Sequence, residues 1–424
     1  MIVHTSEEKK TKAFAQFMDR EYTSTTFRDH FHFPKHGKKE AIYFCGNSLG
    51  LQPKAAKDLI NQELSDWAEY GVEGHFQAKR PWFSYHHFFT ESLAKIVGAK
   101  PIEVVAMNTL TVNLHLLMLS FYKPTKQRYK IIMEAGAFPS DQYAMETQVR
   151  LHGFDPEKAI IELHPREGEH TLRDEDIEAT IKKHGKQLAM VMMGGVNYYT
   201  GQFFNMKKIT AWGHEAGAVV GFDLAHAVGN VALQLNNWNV DFACWCSYKY
   251  LNAGPGAVGG IYVNEKHAKN AKTFRLAGWW GHDEKTRFKM KKGFKPMKSA
   301  ESWQMSNAQV FNMTALRASL DIYDQADTAS LQQKSRELTA YAEFLLKQIK
   351  HLSFEIITPS NPAQRGCQLS LLFKKNGRAV FDALTKAGII ADWREPNVIR
   401  IAPVPLYNTF SDVWALYNTL NKLK

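Results

Sequence analysis

From residue 104 onward the chain alternates between short, mostly apolar runs and segments whose apolar positions recur every three or four residues. The short runs fall at 104–107, 129–134, 159–163, 188–193, 218–223, 242–247 and 259–264. Near-continuous apolar runs of this length are what strands buried on both faces require. The segments between them, at 111–122, 140–151, 174–184 and 205–216, carry the helical period. Alternation of this kind predicts an α/β fold in three layers, a mainly parallel seven-stranded sheet with helices on both faces. Ligands in such folds sit beyond the carboxyl ends of the strands.

Beyond residue 330 the pattern changes. A long helix is expected at 330–352, strands at 354–358 and 367–373, a helix near 379–387, a strand at 399–401 and a last helix from 412. This reads as a smaller α+β unit. The first residues form an arm that runs into a helix at 55–70. Its loop Gly46-Asn47-Ser48-Leu49-Gly50 is long enough to reach a site formed elsewhere. The expected division is therefore an N-terminal segment, 1–65, that contributes to the small domain and the site, a large domain, 66–325, and a small C-terminal domain, 326–424.

A chain of 424 residues with 45% hydrophobic and 22% charged positions is an ordinary globular protein able to bury a large core. No apolar run is long enough to span a bilayer. The start, MIVHTSEEKKTK, turns polar too early for a secretory signal. Four cysteines, Cys45, Cys244, Cys246 and Cys367, are too few for a disulfide framework. Cys244 and Cys246 share one face of a strand without nearby ligand partners, so core packing is expected there and no metal. A cytoplasmic location is the expectation. The net charge of +11 is spread along the chain apart from one dense patch at 285–298. That patch carries no nucleic-acid motif and reads as a solvated, anion-attracting rim.

The chemistry concentrates at the ends of two runs. Asp223 ends one, with His226 three residues on, and Ser247-Tyr248-Lys249 ends the other, twenty-six residues after Asp223. A carboxylate facing a pyridine nitrogen and a desolvated lysine able to form a Schiff base are the two groups a pyridoxal phosphate site needs. Taken singly, Asp223 could cap a helix and Lys249 could snorkel off a strand end. Together at neighbouring strand ends they favour the cofactor. A phosphate needs N–H groups at a helix start. Asn108-Thr109-Leu110-Thr111 has that placement, as does Phe138-Pro139-Ser140-Asp141, whose Phe138 could stack on a pyridine face. Gly254-Pro255-Gly256-Ala257-Val258-Gly259 matches a dinucleotide-binding pattern. It leads into a strand rather than a helix, however, and so reads as a turn.

The chain resembles the kynureninase family of pyridoxal phosphate enzymes over nearly its whole length, and most resembles the eukaryotic type. The segments that carry the resemblance are YFCGNSLGLQP (43–53), NTLTVNLHLLML (108–119), AFPSD (137–141), GFDLAHAVGN (221–230), DFACWCSYKYLNAG (241–254) and IRIAPVPLYN (399–408). The resemblance implies the aminotransferase-like fold type I. It implies hydrolytic Cβ–Cγ cleavage of L-kynurenine or 3-hydroxy-L-kynurenine to anthranilate or 3-hydroxyanthranilate and L-alanine, in tryptophan catabolism and NAD biosynthesis. Position by position, it implies that Lys249 carries the cofactor, that Asp223 meets the ring nitrogen and that His226 lies beside the ring. Phe138 would stack on the ring, with Leu110, Thr111, Pro139, Ser140, Asp141, Gly194 and Tyr248 around it. Tyr248 is implied as a further acid–base. Trp279 and Asn307 would close the site from the partner subunit of a homodimer, Arg400 would clamp the substrate carboxylate, and Ser48 and His75 would line the aryl-ketone end. Gly194 stands where some relatives have serine. Two other readings stay open on the residues alone: a desulfurase-like lyase or an aminotransferase on the same cofactor, and a basic nucleic-acid-binding protein without catalysis.

Overall fold

The computed structural model describes residues 5–423. All seven expected strands form one sheet. In chain order they are β1 (Val104–Ala106), β2 (Lys130–Glu134), β3 (Ile160–Leu163), β4 (Leu188–Gly194), β5 (Val219–Asp223), β6 (Phe242–Cys246) and β7 (Gly259–Val263). Their order across the sheet is β1-β7-β6-β5-β4-β2-β3. Every pairing is parallel except the two that β7 makes, with β6 and with β1. Residue alternation splits the sheet between two cores. Val191 and Met193 of β4 join Val220 and Phe222 of β5 on one face, and Met190 and Met192 face the other with Ile131 and Phe242.

Helices cover both faces, as the 3.6-residue period requires. They include α1 (Ala56–Tyr70), α2 (His87–Val97), α3 (Leu110–Phe121), α4 (Pro139–Leu151), α5 (Asp174–His184), α6 (Met206–Glu215) and α7 (Val310–Gln325). The expected bounds of the four helices read from the sequence between the strands hold to within a residue. Helices α2 and α7 lie in stretches that the sequence pattern did not mark. In the C-terminal part the long helix, α8 (Thr328–Leu346), ends six residues earlier than its pattern suggests, because the chain must turn to enter β8 (Phe354–Ile356). Together with β9 (Leu369–Phe373), β10 (Asp392–Arg394) and β11 (Val398–Ile401), β8 builds an antiparallel sheet of order β8-β9-β11-β10.

The N-terminal segment is folded into this second unit. Ile42–Tyr43 pairs in parallel with Ile389–Ile390, and Ala15 and Phe44 are buried in the same core as Leu369, Ile399 and Leu416. Phe44 and Ala402 are joined by a backbone hydrogen bond of 2.9 Å. That bond holds the 46–50 loop against the sheet that carries Arg400.

Candidate active site

Four parallel strands end side by side. Asp223, at the end of β5, lies in register with Gly194 at the end of β4, while Glu134 ends β2 and Lys249 follows β6 by three residues. These ends open on a cavity of about 310 Å³. Thr109, Leu110, Thr111, Phe138, Ser140, Asp141, Val196, Tyr198, Ala225, His226 and Tyr248 complete its walls. Of the residues expected to surround the cofactor, Leu110, Thr111, Phe138, Ser140, Asp141, Gly194, Asp223, His226, Tyr248 and Lys249 are therefore brought together. Pro139 stands just outside as the first residue of α4.

The wall at α3 is a helix start whose residue Thr109 makes no side-chain cap. The first-turn N–H groups of Leu110 and Thr111 are thus left to whatever enters the cavity. The opposite wall is acidic. Asp223 is buried and accepts the Ala225 N–H at 2.7 Å. Asp141 is hydrogen-bonded to Asp223, and Glu134 adds a further carboxyl to the group. Burial raises all three carboxyls, and their mutual repulsion raises Asp141 further, well above the usual range. Asp141 accordingly holds a proton and donates it to Asp223. Lys249 counters this charge across the cavity, with its Nζ 6.0 Å from the Phe138 ring centroid and 5.7 Å from that of Tyr248. Burial, with Lys249 and Arg400 nearby, drives His226 well below its ordinary value, so its imidazole is neutral. The buried His226 Nδ1 has no hydrogen-bond partner.

These features fit pyridoxal phosphate: an uncapped helix start for the phosphate, an aromatic face, an unpaired imidazole nitrogen, a lysine, and a carboxylate cluster able to hold a ring N–H⁺. Glu134 and Tyr198 were not foreseen as site residues. Glu134 accepts the Gly194 N–H through both oxygens at 3.1 Å, and its strand-end position matches that of Asp223.

Arg400 is fully buried beside the cavity and is already occupied. Its Nη2 lies 2.8 Å and its Nε 3.2 Å from the two oxygens of Asp392, its Nη1 donates to the Tyr198 carbonyl at 2.6 Å, and Nη2 donates to Ser48 Oγ at 3.1 Å. Ser48 also donates to Asp392. The expected fork is present, but a carboxylate entering there would share it with Asp392. The 46–50 loop comes this close because Gly50 has no side chain. Its N–H donates to the Tyr248 carbonyl at 2.8 Å, and a Cβ there would lie 2.3 Å from the Lys249 carbonyl. Ser48 and Arg400 stand outside the lining, linked to it through the Tyr198 carbonyl, and three further expected residues are not part of it. His75 packs against Trp82, Trp279 is 48% exposed, and Asn307 is exposed. All four cysteines are buried and unpaired, and burial pushes the Cys45 and Cys367 thiols up to about 12. A desulfurase needs a mobile, reactive thiol, and none of these is one.

Solved structures with this fold include a C-DES variant with glycine covalently linked to its PLP cofactor (TM-score 0.76, 16% identity, 91% of this chain and 97% of that one). A cysteine desulfurase from Escherichia coli also shares it (TM-score 0.73, 18% identity, 93% and 97%). The fold is that of the fold type I pyridoxal phosphate enzymes. Residues 331–420 match the family described as the kynureninase C-terminal domain. Proteins named kynureninase are similar throughout. Those of Flavobacterium psychrophilum, Myxococcus xanthus and Nematostella vectensis are 52%, 54% and 49% identical, over 98%, 97% and 97% of this chain and 98%, 96% and 93% of theirs. The chain belongs to the kynureninase family, whose members are pyridoxal phosphate-dependent hydrolases of carbon–carbon bonds. Identity is similar to the bacterial and the animal relatives, so it does not single out the eukaryotic type. Among the described residues no helix is long and apolar enough to cross a membrane.

Proposed function

We propose that the cavity between Asp223 and Lys249 performs the hydrolytic cleavage of L-kynurenine and 3-hydroxy-L-kynurenine, with the residue roles that follow. The observation that carries this reading is the placement of Asp223 and Lys249 at adjacent strand ends, facing one cavity whose other wall is an uncapped helix start. Bound pyridoxal phosphate supplies an electron sink conjugated to the substrate Cα. The N–H groups of Leu110 and Thr111 take the phosphate, and Phe138 covers the ring. Asp223, supported by Asp141, holds the ring N–H⁺. Lys249 Nζ holds the cofactor at rest and, once displaced, takes the Cα proton. Arg400 and Ser48 hold the α-carboxylate, which fixes the scissile Cβ–Cγ bond relative to Lys249. Burial keeps the Tyr248 phenol well above its ordinary value, so Tyr248 enters the cycle as a proton donor. It serves the steps in which water adds to the γ-ketone, the Cβ–Cγ bond breaks and alanine is completed. Positioned proton transfer of this kind contributes roughly 10²–10⁴-fold in rate.

A homodimer is part of the proposal. Exposed Trp67 and Phe311 lie beside a groove of about 740 Å³, lined by Leu49, Ile60 and Phe311 among others, which supports a second copy packing there. Trp279 and Asn307, remote from the cavity of their own chain, are assigned to the partner's site, and His75 to the aryl-ketone end. The division at 65 and 325, and a reducing cytoplasmic location, belong to the same reading. The four unpaired thiols support that location.

The test is product fluorescence with kynurenine and 3-hydroxykynurenine in parallel, for the wild type and Lys249→Ala. Release of anthranilate or 3-hydroxyanthranilate is expected from the wild type. In Lys249→Ala both turnover and the borohydride-reducible cofactor linkage are expected to vanish. Steady-state turnover by Lys249→Ala would overturn the assignment.

A further inference from the structure

The structure brings together a set of ligating side chains none of which lines the cofactor cavity. His86 and His87 stand at the start of α2, Glu284 lies in the basic 285–298 region's leading turn, and Glu301 lies in the short helical turn Ala300–Trp303. One ligand atom from each of His86, His87 and Glu284 lies within 4.8 Å of the other two. Glu301 Oε1 is 3.0 Å from His87 Nε2 and 3.5 Å from His86 Nε2, and Glu284 Oε1 is 3.7 Å from His87 Nε2. His86 is fully buried; its Nε2 faces Glu301, whereas its Nδ1 and the buried Glu284 Oε1 have no hydrogen-bond partner. A buried imidazole with an unpaired nitrogen is costly unless something else takes its lone pair.

We propose that His86, His87 and Glu284, with Glu301 ion-paired to both imidazoles beside them, form a binding site for a divalent transition metal of the zinc type. Ligands bonded at about 2.0–2.1 Å to a tetrahedral ion lie roughly 3.3 Å from one another. His87 Nε2 and Glu284 Oε1 are 3.7 Å apart, and the three ligand atoms lie within 4.8 Å of one another, close enough to contract onto one ion. Two imidazoles select against magnesium and calcium, which take oxygen ligands, and suit zinc. The two carboxylates outweigh the nearby Arg287 guanidinium, which packs over the faces of Phe83 and Trp280. A bound ion would join two segments distant in sequence and pin the turn after Trp279 onto α2. Any effect of that pinning on turnover rests on the role proposed for Trp279, whereas metal binding does not.

The test uses the cofactor-loaded enzyme, stripped with a chelator, dialysed and titrated with ZnCl₂ against a chromophoric chelator. Thermal midpoints are recorded alongside, and MgCl₂ is the control. The wild type is expected to take up one zinc ion per chain and to melt higher with zinc but not with magnesium. His87→Ala and Glu284→Gln should each bind more weakly by at least the roughly 100-fold that loss of an outer-shell partner alone can reach. Glu284→Gln keeps its volume at a partly exposed position, so folding is not at stake in that variant. Failure of the wild type to compete for zinc, equal response to magnesium, or undiminished zinc binding in Glu284→Gln would each overturn the proposal. None of these readouts depends on which substrate the enzyme cleaves.

Discussion

Replacing Glu134 with glutamine should change how the stability of the cofactor-free protein depends on pH. Glu134 is fully buried at the end of β2, faces the carboxyls of Asp141 and Asp223, and has the Gly194 N–H as its hydrogen-bond donor. Burial is the largest influence and pushes its carboxyl up from 4.5 to about 7. The unfolded chain therefore ionises this group near pH 4.5, while the folded protein keeps the proton until about pH 7. Stability linked to Glu134 is full below pH 4.5, is lost as pH rises through that window and stays lost above it. A rise of about 2.5 units at ~1.36 kcal/mol each amounts to ~3 kcal/mol. Glutamine can still accept the Gly194 N–H and does not ionise, and it also relieves Asp141 of one repulsive neighbour. Glu134→Gln should thus match the wild type near pH 4.5 and exceed it by up to ~3 kcal/mol at pH 8. The assay is the thermal midpoint of both cofactor-free proteins from pH 4.5 to 9, where a gap of several degrees should open on the alkaline side. A difference between the two that is flat across pH would refute the account of the acidic wall.

Two further substitutions probe its neighbours. Gly194→Ala should lower the thermal midpoint by an amount corresponding to ~1–3 kcal/mol, because a Cβ there would lie 2.8 Å from Glu134 Oε1; an unchanged midpoint would mean that the carboxylate swings aside freely. Arg400→Ala should raise KM by about 10²-fold at most, since a charged pair worth roughly 3 kcal/mol taken alone is offset by the pair that Asp392 already makes with Arg400. Asp392 retains Arg394 at 3.0 Å, so the fold should survive, and a KM change under about threefold would remove Arg400 from the site.

What could be read from the sequence follows from how each part is built. The seven strands were legible because strands covered on both faces must be apolar almost throughout, and the core at Met190–Met193 shows both faces in use. Helix α7 was not legible. It buries Thr314 and Ser319 among Met313, Leu316 and Leu320, which blurs the apolar stripe, and Thr314 is held there by a 2.7 Å hydrogen bond to Tyr85. Strands of two residues such as Ile42–Tyr43 have no pattern to show and exist only through their partner. The same division runs through the site. Asp223 and Lys249 announce themselves because each follows a long apolar run. Glu134 follows one too, but without the family motif it passed for an ordinary strand end.

Asp392 joins Ser48 across 344 positions, and no spacing rule connects them. That network is also what alters the picture of Arg400: the resemblance supplies a free clamp, whereas packing delivers a clamp whose donors are already engaged by Asp392, Ser48 and Tyr198. Binding a substrate carboxylate there exchanges one anion for another on the same buried guanidinium, or draws Ser48 into a shared bond. The net gain is then the difference between two charged pairs rather than the whole of one. A clamp of that kind keeps the guanidinium oriented before substrate arrives, since its geometry is already fixed by the β10–β11 pairing of Asp392 with Arg400. On the clamping role proposed for Arg400, the orientation of the scissile bond would depend on Asp392 as much as on the arginine that the sequence singled out.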